Sequence, residues 1–215
     1  MKKFAIVLAG CGVYDGAEIH EAVLSMLAVK KSGAEYTLFA PDMEQYHVVN
    51  HLTGKEMPEK RNMLVESARI ARGKIKKLSD FSAQDFDYLL FPGGFGVAKN
   101  LCDFAFKGAD CHVHPEVEKA IRNMVELRKA IGALCISPVM IAKILGHEVN
   151  LTIGNDSSTA QAITKMGAVH KSTGHGEVII DKKFNIVTTP CYMLDASITD
   201  IADGAENLVN AMLTL

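Results

Sequence analysis

The stretch Ile131-Gly132-Ala133-Leu134-Cys135-Ile136-Ser137-Pro138 carries an apolar run into a cysteine and then at once into a serine-proline pair that opens a helical pattern. The order is strand, sharp turn, helix. A nucleophile at such an elbow stands at the carboxyl end of a sheet strand, where the next helix directs its unpaired N–H groups and positive dipole end at the sulfur. Both effects favour a thiolate at Cys135. A cysteine beside apolar residues is more often inert and buried, so it is position that singles this one out.

Outward from this elbow, apolar runs rich in β-formers recur at Phe4-Ala9, Tyr36-Ala40, Tyr88-Phe91, Leu151-Ile153, Val178-Ile180 and Ile186-Thr189. Between most of them lie segments with apolar residues three and four apart: Ala17 to Lys31, Asn62 to Ala71, Pro115 to Arg128, Pro138 to Leu145, Ser158 to Met166 and Ser197 to Leu213. Alternation of this kind predicts an α/β sandwich around a largely parallel sheet. The last two runs are joined by Asp181-Lys182-Lys183-Phe184-Asn185, short enough for an antiparallel hairpin.

A chain of 215 residues with 48% hydrophobic content suits one substantial core, so a single domain over 1–215 is expected. The 23 basic and 25 acidic residues are well mixed, which argues against nucleic acid as a partner. No stretch approaches the roughly 20 apolar residues that span a bilayer, so no membrane is expected either. The start, Met1-Lys2-Lys3 and a short apolar run, suits a first buried strand better than a signal peptide. Five scattered cysteines, Cys11, Cys102, Cys111, Cys135 and Cys191, have no CxxC spacing and suit free thiols in a reducing compartment. A cytoplasmic location is the resulting expectation.

In a doubly wound sheet the ligand crevice lies beyond the carboxyl ends of the strands. Three such junctions stand out: Gly10-Cys11-Gly12-Val13-Tyr14-Asp15-Gly16, Pro92-Gly93-Gly94-Phe95-Gly96, and Cys135. The glycines at 10, 12 and 16 miss the GxGxxG spacing by one residue, so no nucleotide site is read there. Glu18 and Glu21 lie three apart at a helix start, and an inward carboxyl beside Cys135 would have a raised pKa and could shuttle a proton. The flexible backbone at Gly93 and Gly94 can direct the Gly94 N–H at an oxyanion, with the Ile136 N–H as second donor. The same glycines would also serve a tight turn, and an acidic first turn is ordinary dipole pairing.

None of the eight histidines immediately follows Cys135. His20, between the two glutamates, points to another side of the helix than they do. Cys111-His112-Val113-His114 with Glu116 matches no standard zinc spacing and reads as a solvated loop; no metal site is assigned. His47 and His51 are four apart and could share one face of a helix, but without a carboxylate partner in view no metal is assigned to them. The polar segment 42–60 is a candidate flap or interface loop.

Together, Gly16-Ala17-Glu18-Ile19-His20-Glu21, Phe91-Pro92-Gly93-Gly94-Phe95-Gly96, Ala98-Lys99-Asn100-Leu101 and the Cys135 elbow resemble the ThiJ/PfpI superfamily, with the class I glutamine amidotransferase-like fold. Gly10-Cys11-Gly12-Val13-Tyr14-Asp15-Gly16, Asn50-His51-Leu52-Thr53-Gly54, Arg61-Asn62, Glu66-Ser67-Ala68-Arg69-Ile70 and Val187-Thr188-Thr189-Pro190 sharpen the resemblance to its ElbB family, the isoprenoid biosynthesis glyoxalases. The resemblance implies a three-layer flavodoxin-like sandwich, usually a homodimer, and a cofactor-independent glyoxalase acting on methylglyoxal or glyoxal. It places the nucleophile on Cys135, the cysteine-facing glutamate on Glu21 with Glu18 as a second carboxylate, and the oxyanion donors on Gly94 and Ile136. Protease-like members have a histidine after the cysteine, where this chain has Ile136; other members have one near Gly154 and Asn155, where none is present. Amidotransferases need a late His-x-Glu pair that the C-terminal stretch lacks.

The implied chemistry is attack of Cys135 on the aldehyde of a small dicarbonyl and proton transfer by Glu21 through an enediol, with no metal, glutathione or other cofactor. The alternative is a redox or carbonyl-stress sensor using the same cysteine. An accessory role in isoprenoid metabolism is suggested only by the family's description.

Overall fold

A computed structural model describes residues 1–215. The strands are β1 (Lys3–Val7), β2 (Glu35–Ala40), β3 (Val49–Asn50), β4 (Lys55–Glu56), β5 (Ile75–Lys77), β6 (Tyr88–Phe91), β7 (Ala130–Leu134), β8 (Asn150–Leu151), β9 (Val169–His170), β10 (Ile179–Asp181) and β11 (Ile186–Thr189). The helices are α1 (Ile19–Lys31), α2 (Met63–Ile70), α3 (Phe104–Lys107), α4 (Pro115–Glu126), α5 (Pro138–Leu145), α6 (Ser157–Lys165) and α7 (Ile198–Met212).

Seven strands form one sheet in the order β10-β11-β7-β6-β1-β2-β5, with β3-β4 and β8-β9 as separate two-stranded ladders. All pairings in the large sheet are parallel except the β10-β11 hairpin. The chain builds outward from β1 through β2 to β5, then returns to the other side of β1 with β6. This reversal opens a crevice beyond the carboxyl ends of β1 and β6, the place where ligands bind in open α/β sheets.

The continuous apolar character of β1 follows from its two covered faces. Phe4, Ile6 and Leu8 join the cluster under α1 and α7, while Ala5, Val7 and Ala9 join the cluster under α4 and α5. Helices on both faces of a largely parallel sheet give the expected three-layer, flavodoxin-like sandwich. Gly132 brings α7 directly onto β7, since a Cβ there would sit 2.4 Å from Met212 Sδ.

Some expectations are corrected. Ile75–Lys77 is an edge strand with exposed lysines and so has no apolar run to betray it. The run Leu151-Ile153 does not enter the large sheet; Asn150–Leu151 pairs with β9, and the Thr152 N–H donates to Thr188 Oγ1. Helix α1 begins at Ile19, so Ala17 and Glu18 precede it. The segment 42–60 contributes no residue to the cavity beside Cys135. Instead it braces the Gly10–Gly16 loop: the Val49 N–H donates to Asp15 Oδ2 at 2.6 Å and the Tyr14 N–H donates to His51 Nε2 at 3.1 Å. No helix is long and apolar enough to cross a membrane.

Candidate active site

Three strand ends converge at the crevice. The loops after β1 and β6 are zipped together by the Phe95 N–H to the Val13 carbonyl, the Gly96 N–H to the Gly16 carbonyl and the Glu18 N–H to the Gly93 carbonyl, all at 2.8–2.9 Å. Gly94 has φ +102°, and a Cβ there would lie 2.4 Å from Glu18 N, so this interlock requires a glycine.

The third strand end is the elbow. Cys135 has φ +58°, a left-handed conformation that costs about 1–3 kcal/mol for a side-chain-bearing residue. Bonds on both sides hold it there. The Cys135 N–H donates to the Thr189 carbonyl at 3.0 Å, and the buried Ser137 hydroxyl donates to the Pro92 carbonyl at 2.7 Å. The elbow is thereby tied to both β11 and the glycine loop.

Glu18 caps α1 from an extended backbone, its Oε2 accepting the Glu21 N–H at 2.7 Å. That start places Glu21 in the first turn, fully buried and facing the sulfur. Glu21 Oε2 accepts the Gly93 N–H at 2.8 Å and Oε1 accepts the Tyr192 N–H at 3.2 Å. Burial and then the Glu18 charge raise the Glu21 pKa to about 7, against the lowering effect of these two N–H donors and of a hydrogen bond with Cys135. A Cβ on Gly93 would come within 2.5 Å of Cys135 Cβ and 2.7 Å of Glu21 Oε2, so the backbone packs tightly against both partners.

The expected thiolate is not the resting form. Burial, followed by the Glu21 charge, pushes the Cys135 thiol well above its ordinary range. The Gly94 and Ile136 N–H groups beside the sulfur lower its pKa, as the elbow predicts, but desolvation outweighs them. The Cys135 thiol and the Glu21 carboxyl thus lie side by side, each biased toward its protonated form. The charge that raises the Glu21 pKa alongside burial is that of Glu18, not that of a thiolate.

All candidate residues meet here: Cys135, Glu21, Glu18, Gly93, Gly94 and Ile136. Tyr192 was not among them. It follows β11 and lines the same cavity, and its hydroxyl shares a 2.8 Å hydrogen bond with His20 Nδ1. The strand-end rule, applied to Ile186–Thr189, was the signal that would have found it. His112 and His114 lie away from this cavity, and His114 Nδ1 accepts the Glu116 N–H at the start of α4. All five cysteines are free. No group of three or more histidine, cysteine, aspartate or glutamate side chains is placed to hold a metal ion.

The cavity above Cys135 has a volume of about 420 Å³. Its walls come from the Gly94 loop, α3, the elbow, the start of α6 and the segment after β11.

No family model matches the chain. It is 44% identical to the ES1 protein homolog, mitochondrial, of Rattus norvegicus, an alignment covering 99% of this chain and 84% of that protein. It is likewise 44% identical to the human glutamine amidotransferase-like class 1 domain-containing protein 3, mitochondrial, over 99% of this chain and 83% of that one. Among solved structures, an isoprenoid biosynthesis protein with amidotransferase-like domain from Ehrlichia chaffeensis matches with TM-score 0.94 and 37% identity, covering 100% of this chain and 99% of its own. A glyoxalase III from Candida albicans shares the fold, with TM-score 0.63 and 15% identity over 98% and 97% of the chains. The relatives' mitochondrial names overturn the cytoplasmic placement. Free thiols and mixed charge suit any reducing compartment, so they could not discriminate. Sequence identity over nearly the whole chain places this protein in the ES1 family of class I glutamine amidotransferase-like, ThiJ/PfpI-fold proteins.

Proposed function

We propose that this protein is a cofactor-independent glyoxalase of the ElbB type, converting a 2-oxoaldehyde and water to a 2-hydroxy acid. The observation that carries the reading is the Cys135–Glu21 pair, packed together against the Gly93 backbone, with the Gly94 and Ile136 N–H groups beside the sulfur at the edge of a cavity. The fold shared with a glyoxalase III is compatible with it.

Glu21 takes the thiol proton as the sulfur adds to the aldehyde carbon, and the Gly94 and Ile136 N–H groups receive the developing oxyanion. A glutamate with a pKa of about 7 is suited to accept and return protons near neutrality. Glu21 passes the thiol proton to the oxyanion to complete the hemithioacetal, and the carboxylate so regenerated removes the hydrogen from the former aldehyde carbon and returns a proton to the neighbouring carbon through an enediol. The resulting thioester is hydrolysed, releasing the 2-hydroxy acid and restoring the thiol.

The experiment is lactate formation from methylglyoxal by the wild type and by Cys135→Ala. Loss of turnover in the variant is expected, and equal turnover would remove the mechanism. The sensor reading is weaker, because a raised thiol pKa slows reaction with peroxide. Selective oxidation of Cys135 by mild peroxide, seen by intact mass, together with negligible dicarbonyl turnover would favour it instead.

A further inference from the structure

The space above Cys135 is much larger than a three-carbon substrate needs. At about 420 Å³ it would hold the equivalent of roughly 14 water molecules at about 30 Å³ each, and it falls within the roughly 300–1,000 Å³ of pockets that enclose drug-sized ligands. Its lining is chiefly apolar, with Phe95, Phe104, Ile136 and Met193 among the walls. The acidic groups facing it are Glu18 and Asp156, and no lysine, arginine or histidine lines it. Lys99 is outside the lining; its ammonium lies 5.4 Å from the ring centroid of the wall residue Phe95 and is held by donation to the Tyr14 carbonyl at 2.9 Å.

Large apolar walls stabilise a hydrophobic substituent in proportion to the area it removes from water. Two carboxyl groups without a cation repel a carboxylate or phosphate on the same ligand. We infer that the cavity selects uncharged 2-oxoaldehydes carrying an aryl or medium-length alkyl group in preference to methylglyoxal, and excludes anionic analogues. This rests on the glyoxalase reading for its chemistry and on the cavity alone for its selectivity. The same electrostatics favour departure of the product, since an uncharged substrate enters and a carboxylate leaves.

The test compares kcat/KM for methylglyoxal, phenylglyoxal and 4-carboxyphenylglyoxal, the last two matched in shape and differing in charge. The expected result is phenylglyoxal about tenfold or more above methylglyoxal, and the carboxylated analogue about tenfold or more below phenylglyoxal. Methylglyoxal matching or exceeding phenylglyoxal, or a carboxylated analogue as good as phenylglyoxal, overturns the inference while leaving the glyoxalase reading intact. A second measurement needs no turnover: protection of Cys135 from alkylation by unreactive acetophenone and by benzoate. If no dicarbonyl is consumed, the glyoxalase reading fails. Protection by acetophenone but not benzoate still upholds the selectivity, and equal protection or none refutes it.

Discussion

The Glu21 carboxyl and the Cys135 thiol meet at the Gly93 backbone, where an added Cβ would lie 2.7 Å from Glu21 Oε2 and 2.9 Å from Cys135 Sγ. One partner comes from the first turn of α1 and the other from the elbow after β7, so neither local segment alone creates the pair. The sheet reversal between β1 and β6 brings them together.

Gly93 is the spacer of this arrangement. In Gly93→Ala the added methyl would lie 2.5 Å from Cys135 Cβ and 2.7 Å from Glu21 Oε2, two side chains that are themselves buried. The expected outcome is a loss in kcat/KM of about 100-fold or more, the order of magnitude attached to a displaced general base. Steady-state kinetics with a circular-dichroism check of folding measures it. A variant with wild-type rates would show that the spacing is not needed.

Folding raises the Glu21 pKa from 4.5 to about 7, so between these values the native state binds a proton more tightly than the unfolded chain. The stabilisation from this group is therefore full below about pH 4.5 and is lost as pH rises through about 7, an effect on the order of 3 kcal/mol. Urea unfolding at about pH 5 and about pH 8 should show this decline in the wild type and a flatter profile in Glu21→Gln. Parallel profiles would contradict the raised pKa.

Ser137→Ala removes the donor to the buried Pro92 carbonyl. A destabilisation of about 1–3 kcal/mol is expected from the unsatisfied acceptor, together with reduced turnover as the elbow loses its tie to the glycine loop. Chemical denaturation alongside kinetics checks both effects, and an unchanged midpoint would remove the tie from the account.

The sheet was legible where strands are buried on two faces: Phe4, Ile6 and Leu8 alternate with Ala5, Val7 and Ala9 across two cores, giving an unbroken apolar run. It was not legible at Ile75–Lys77, where an edge position lets lysines replace the apolar pattern. The placement of Cys135 and Ile136 followed from the strand-turn-helix grammar of the elbow, that of Gly94 from the glycine-rich junction after Phe91, and that of Glu21 and Glu18 from a helix start and a family resemblance. The protonation of Cys135 did not, because it depends on how completely Glu21 and the surrounding walls exclude water, a property of packing rather than order. Tyr192 was within reach of the strand-end rule, whereas Asp156 joins the cavity through tertiary approach, from a segment whose local sequence reads as an ordinary helix cap.

In the proposed mechanism Glu21 is the base that draws the proton from a resting Cys135 thiol. The most direct measurement is kcat/KM for dicarbonyl turnover from about pH 5 to about pH 9 in the wild type and Glu21→Gln. The account predicts a wild-type rate that rises with a midpoint near 7 and a variant depressed about 100- to 10,000-fold. A flat wild-type profile, or a Glu21→Gln enzyme that keeps its rate, would contradict it.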